Sequence, residues 1–155
     1  MKKKILVSGS IAIDHTIISK SMPTAGTTTI AESYFSNIGG KGANQACASM
    51  FLGGDVSFIG AIGNDSNGEQ VKKFLDKQGL HARLKESKHP TGVAFITLDA
   101  NGENQILIIQ GANVDLTIED MDANDDLFVE GGIYLTQLES NPEVVQYSLK
   151  KAKEK

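Results

Sequence analysis

The sequence predicts an α/β protein, built on a mostly parallel sheet flanked by helices, with a small second β-sheet. Short apolar runs alternate with segments of helical periodicity, the pattern of a sheet covered on both faces. Two further stretches, near residues 11–36 and 92–109, are rich in β-branched residues but too polar for that layer, and they supply the small sheet. At 155 residues, the chain is long enough for one domain with a substantial core.

The elements follow in order. Residues 5–7 read as a buried strand, which a Ser8-Gly9-Ser10 break separates from a second extended run at 11–18. The start Met1-Lys2-Lys3-Lys4 before an apolar run resembles a signal peptide, but Ser8-Gly9-Ser10 and Asp14 interrupt the run and no small-residue cleavage site follows. Pro23-Thr24-Ala25-Gly26 is a turn, and residues 27–35 form a partly exposed strand. Apolar residues at 43, 46, 47, 50 and 51 give a helix over 41–52 one buried face, and Gly53 is placed to stop it. Residues 56–62 are a buried strand. Ser66-Asn67-Gly68-Glu69 has capping-box spacing and opens a helix that Gly79 ends. Residues 92–98 and 105–109 form a hairpin around Asp99-Ala100-Asn101-Gly102, a strong turn signal. A short helix at 117–122 and a buried strand at 132–138 follow. Asn141-Pro142-Glu143 caps a final helix, with Pro142 at its tolerated first position.

Composition excludes several classes. A net charge of −4 argues against nucleic-acid or membrane-surface partners. The lysines of the 150–155 tail suit a solvated helix end. No run approaches the roughly 20 apolar residues of a membrane span. A single cysteine, Cys47, lies on the apolar side of its helix and fits an inert thiol in a reducing cytoplasm. The acidic residues at 115–130 fail as a calcium loop: counting from Asp120, Asp125 stands where glycine is needed and Gly131 where a bidentate glutamate is needed. His81 and His89 fall in polar connecting segments with no ligand-spaced partner.

The chemistry concentrates at Gly39-Gly40-Lys41-Gly42-Ala43-Asn44-Gln45-Ala46. Two glycines enter a helix whose first turn presents unpaired N–H donors. Lys41 and Asn44 project from the same side of that turn. This donor cluster suits hydroxyl-rich or anionic small molecules. It is not a Walker loop, because Gly42 follows Lys41 where a magnesium-binding hydroxyl would stand. Nor is the chain a dinucleotide oxidoreductase, since Ser8-Gly9-Ser10-Ile11-Ala12-Ile13 after the first strand lacks Gly-x-Gly-x-x-Gly. Asp14 stands where the first apolar run leaves the main sheet, and Glu139 follows the last apolar strand; ligands in open α/β sheets gather at such carboxyl ends. His15, next to Asp14 in a strand, points to the opposite face.

The octapeptide resembles the first signature of the ribokinase family of sugar kinases. Gly9-Ser10-Ile11-Ala12-Ile13-Asp14, Gly63-Asn64-Asp65-Ser66-Asn67-Gly68-Glu69, Thr91-Gly92-Val93-Ala94, Gly111-Ala112-Asn113 and Gln137-Leu138-Glu139 agree in order and spacing, so the resemblance covers essentially the whole chain. It implies a partial ribokinase-like fold whose small sheet is a lid over the sugar, and ATP-dependent phosphorylation of ribose or a related sugar in the cytoplasm. It also implies that Asp14, Gly39, Gly40, Lys41, Asn44 and Glu139 contact the sugar. The family's second signature, Asp-Thr-x-Gly-Ala-Gly-Asp, supplies the catalytic base and the anion hole, and no such run occurs here. The chain is therefore expected to be the N-terminal, sugar-binding portion, inactive alone, with no catalytic residue of its own and no metal site. ATP and Mg, and a monovalent cation if one is used, would be held mostly by residues outside it. The resemblance leaves room for a homodimer through the lid, and for the alternative of a non-catalytic fragment or a sugar-binding and dimerising module. One departure stands out. Two residues before the aspartate the family commonly has a sugar-binding asparagine, and this chain has Ala12. An unmade buried hydrogen bond is worth about 1–3 kcal/mol, so the particular sugar stays open.

Overall fold

The structure, a computed structural model, describes residues 3–155. Two separate sheets organise it. The core sheet has the order β5-β4-β1-β8, from β1 (Lys4–Ser8), β4 (Asp55–Gly63), β5 (His81–Ser87) and β8 (Ile133–Thr136), all parallel. The small sheet has the order β3-β2-β6-β7, from β2 (Ala12–Ile18), β3 (Ser33–Gly39), β6 (Val93–Leu98) and β7 (Asn104–Ile109). Its β2–β6 pair is parallel and its two outer pairs are antiparallel.

Strand alternation explains why the core sheet is buried on both faces. Val7, Val56, Phe58 and Ile62 point to one side, where they pack with Ala43, Ala46 and Cys47 of α1 (Lys41–Phe51) and Val71 and Leu75 of α2 (Ser66–Gln78). Leu6, Ile59 and Ala61 point to the other, against Leu116, Met121 of α3 (Ile118–Asp122), Phe128 and Val144 of α4 (Pro142–Lys153). Each fully buried side chain of this size stabilises the fold by roughly 1.5–3 kcal/mol.

Several boundaries differ from the sequence expectation. The strand expected over 27–35 is β3, displaced to Ser33–Gly39. Its length is set by its partner: Ile18, the last residue of β2, pairs with Ser33, and Ala12 pairs with Gly39. The β-branched residues 27–30 have no strand beside them and stay irregular, with Ile30 89% exposed. The cap of α2 is Asp65, whose side chain accepts from Gly68 N at 2.8 Å, in place of a Ser66 capping box. A capping box does form at α3, between Thr117 and Asp120. In the 99–103 turn only Gly102 takes a positive φ, and the Asp99 carboxylate accepts from Asn101 N and Glu103 N. The connecting segment expected around His81 is strand β5, so His81 is a strand residue.

The strand expected to be buried over 132–138 is the shorter β8, and it is half exposed. It pairs with β1 on one side, and among the described residues no strand covers its other side. Ile133, Leu138 and Leu149 are exposed nearby. An uncovered edge with apolar neighbours is a template for self-pairing. A protein of residues 1–155 is therefore expected to associate as its concentration rises. Sedimentation showing a monomer throughout would contradict this.

Among the described residues, no helix is long and apolar enough to cross a membrane.

Candidate functional site

A cleft of about 450 Å³ lies between the two sheets. Its floor is the carboxyl end of β1, the start of α1 and the segment after β8; its roof is one face of the small sheet. Asp14, Gly40, Lys41, Asn44 and Glu139 all line it. Gly39 sits directly beneath Asp14, and a Cβ there would lie 2.0 Å from Asp14 Oδ2. The residues singled out from the sequence thus converge from both ends of the chain.

The local causes are specific. Asp14 is carried by β2 opposite Asn37 of β3 and Ala94 of β6. Gly40 caps α1 at φ 90°, ψ 137°. Its positive φ turns the chain from the small sheet into the helix, a conformation open to glycine. Ser10 then knots the floor together. It accepts from Lys41 N at 3.0 Å and donates to Glu139 Oε2 at 2.8 Å. The Lys41 ammonium donates to the other oxygen of Glu139. Gln137 donates to Gln45 at 2.6 Å and ties the end of β8 to α1.

The two carboxylates are tuned in opposite directions. Burial pushes the Asp14 pKa up, nearby Glu139 adds to this, and His15 opposes it. Burial also pushes Glu139 up, but hydrogen bonds from Lys41 and Ser10 outweigh it and hold Glu139 below its ordinary value. Glu139 is thus a fixed anion with its charge already compensated. Among the described residues Asp14 forms no salt bridge, and it is the carboxylate that gains most from donors supplied by a ligand.

Sequence reasoning missed other lining groups. Ser10 and Asn113 are buried polar residues at the cleft, and Ala94, Ile96, Ile106 and Ile108 make its roof apolar. Ala12 also lines it, without a hydrogen-bonding group. The alternation of Ile106 and Ile108 was the available signal for the roof. His15 lies on the far face of the small sheet, stacked on Tyr34 and Phe95. Its Nδ1 is 2.6 Å from Tyr34 Oη. The acidic residues of the 115–126 region are engaged elsewhere: Asp120 by Lys85, Asp122 and Asp125 by Lys151, Asp126 by Arg83. Among the described residues, no group of three or more His, Cys, Asp or Glu side chains could hold a metal ion.

The chain is thus an α/β protein in which a parallel core sheet and an overhanging second sheet enclose a cleft with a polar floor and an apolar roof. The model of the pfkB family carbohydrate kinases matches residues 2–152, and the chain belongs to that family. It is 35% identical over 142 residues to the ribokinase of Haemophilus influenzae, covering 90% of this chain and 46% of that protein. The solved ribokinase of Giardia lamblia superposes with a TM-score of 0.90 at 30% identity, covering 99% of this chain and 47% of that one. Arabidopsis thaliana ribokinase, solved with ribose and ATP, gives 0.85 at 29% identity, covering 99% and 51%. The chain spans about half the length of these proteins.

Proposed function

We propose that these residues are the sugar-binding portion of a cytoplasmic ribokinase-type kinase that transfers a phosphoryl group from ATP to ribose or a related sugar. The observation that carries this reading is the convergence of Asp14, Lys41, Asn44 and Glu139 on one cleft. Asp14 accepts hydrogen bonds from sugar hydroxyls, Lys41 and Asn44 donate to others, and Glu139 accepts one while remaining paired with Lys41. Gly39 and Gly40 let the backbone approach the ring. The apolar roof covers the sugar's C–H face, the usual division of labour in a small-ligand site. Ala12 offers no bond, so a sugar lacking a hydroxyl at that point is accommodated as well as ribose.

The catalytic base, the nucleotide site and the Mg or monovalent-cation ligands belong, in this reading, to the part of the relatives beyond the matched region. The residues here do not fit those groups: the first turn of α1 has no hydroxyl beside Lys41, and two of its amides, Lys41 N and Ala43 N, are already taken by Ser10. A second reading, a sugar-binding and dimerising module, is favoured by β7. Its Ile106, Leu107, Ile108 and Ile109 are exposed on an uncharged edge of the small sheet, a surface suited to a second copy.

The test is a chimera joining this chain in frame to the C-terminal half of the H. influenzae ribokinase. With labelled ATP it is expected to phosphorylate ribose or deoxyribose, and Asp14→Ala is expected to abolish the product. Equal turnover by the Asp14→Ala chimera would remove these residues from the sugar site.

A further inference from the structure

The chain passes between the core sheet and the small sheet at residues 9–11, 39–40, 88–92 and 110–111. Three of these crossings come together around one buried side chain, Asn113, which is 4% exposed. Its Oδ1 accepts from Ile11 N at 2.8 Å, and its Nδ2 donates to Ile11 O at 2.7 Å and to Gln110 O at 2.9 Å. Gly92 makes room for the amide: a Cβ there would lie 2.4 Å from Asn113 Nδ2 and 2.7 Å from Ile11 O. One side chain thus touches three of the crossings.

Asn113 itself is anchored to the core. It sits in a 3₁₀ turn over Gly111–Asp115, between the buried Ala112 and Leu116, both part of the core cluster that includes Leu6 and Met121. The third crossing has its own anchor at Thr91, which is 1% exposed. Thr91 donates to Asp65 through both its N–H and its hydroxyl, and accepts from Gly63 N. The small sheet therefore meets the core through these polar contacts as well as through Ile11, Ile13, Ile38 and Val93, which pack in the cluster of Val7 and Phe58.

We infer that Asn113 is a positioning residue: its amide pins the first and last strands of the small sheet to the core, and so holds Asp14 and the isoleucine roof over Lys41 and Glu139. Ile11 lies three residues before Asp14 on the way into β2, and Gln110 directly follows β7, which carries Ile106 and Ile108. The pinning is independent of what the cleft binds; its consequence for a ligand rests on the sugar-binding reading above. The chemistry demands an amide. Two carbonyl oxygens face Nδ2, so a carboxylate of the same shape would place acceptor against acceptor at both. A protonated carboxyl would recover one donor.

The test is amide hydrogen exchange with D-ribose calorimetry on the native chain, Asn113→Asp and Gly92→Ala. Near neutral pH, Asn113→Asp is expected to exchange roughly ten- to a hundredfold faster than the native chain in β2, β6 and β7, as a lost buried hydrogen-bond set implies, with β1 and β4 within about twofold. As the pH falls and the introduced carboxyl protonates, the ratio to the native chain should shrink. Gly92→Ala, which crowds the amide without removing it, should show the same selectivity without the pH rescue. Any ribose heat seen with the native chain should be lost in both variants. Exchange that accelerates equally in both sheets, or an Asn113→Asp ratio that does not respond to pH, would overturn the inference. A native chain without ribose heat but with selective exchange in Asn113→Asp would support the pin and contradict the sugar reading alone.

Discussion

Given ATP and ribose, deoxyribose or fructose, a protein of residues 1–155 is expected to make no sugar phosphate above background. A primary hydroxyl is a poor nucleophile, and phosphoryl transfer relies on positioning, a base and charge-stabilising donors. In the proposed function this chain supplies positioning. Glu139 is held as a compensated anion by Lys41 and Ser10, which makes it a weak base. Burial shifts Asp14 the other way, above its ordinary value, but in the proposed site it is occupied by the hydroxyls that orient the sugar. The helix start beside them has amides already bonded to Ser10, so it is no ready cradle for a transferring phosphoryl group. General-base assistance contributes typically about 10²–10⁴-fold, and each charge-stabilising donor about 10²–10³-fold. Loss of both puts turnover below detection. Labelled ATP checks this directly. Turnover by the chain alone, abolished by Asp14→Ala, would place a complete active site within these residues.

The second large effect is on stability. Gly40→Ala is expected to cost roughly 2–5 kcal/mol, from a left-handed backbone that alanine adopts poorly and from overpacking. A Cβ at Gly40 would lie 2.6 Å from Ser10 O and 2.7 Å from Ile11 Cα. Both are backbone atoms and cannot rotate away. Relief would move Ser10, and with it the link between Lys41 and Glu139. Gly79 is the control. It also has a positive φ, at 75°, but a Cβ there meets nothing within 4 Å, so Gly79→Ala should cost only about 1 kcal/mol. For a chain of this size the two variants should separate by several degrees in Tm, at roughly 2–4 °C per kcal/mol. Equal losses in thermal or urea unfolding would show that the close approach at Gly40 is not what requires glycine.

The legible parts of the fold were those whose signal is local. The apolar rhythm of α1, the glycine stops at Gly53 and Gly79 and the hairpin turn ending at Gly102 could be read from neighbouring residues alone. Strand β5 could not. His81, Arg83, Lys85 and Glu86 give it a polar sequence, yet Arg83 reaches Asp126 and Lys85 reaches Asp120, so long side chains lie across the sheet edge where an apolar alternation would have announced it. The displacement of β3 has the same origin, because its limits are set by β2 and not by its own β propensity.

The site divides along the same line. Asp14 and Glu139 mark the carboxyl ends of apolar runs, and Lys41 and Asn44 mark a glycine-led helix start, so each carried a positional cue. Ser10 and Asn113 are short polar residues whose partners lie far away in sequence, Glu139 for the one and Ile11 for the other. Only the closure of the two sheets makes them visible. The resemblance included both as landmarks without assigning either a role.

Calorimetry of D-ribose with the native chain and Asp14→Ala tests most directly whether Asp14 organises the proposed sugar site. In the proposed site sugar binding uses the ionised carboxylate, and burial and Glu139 raise the pKa of Asp14 in the free protein. Protonated Asp14 is favoured in the folded chain, so its contribution to stability is largest at low pH and is lost as pH rises through the raised value. Binding runs the other way: it is strongest above that value and fades as pH falls through it, before an ordinary exposed aspartate protonates. At neutral pH the native chain should give a weak, saturable heat. Asp14→Ala should weaken it by about 10- to 100-fold, the worth of hydrogen bonds to a charged group, while unfolding at the same temperature as the native chain or higher. Equal heats from the two proteins at neutral pH would remove Asp14 from the site and contradict the account.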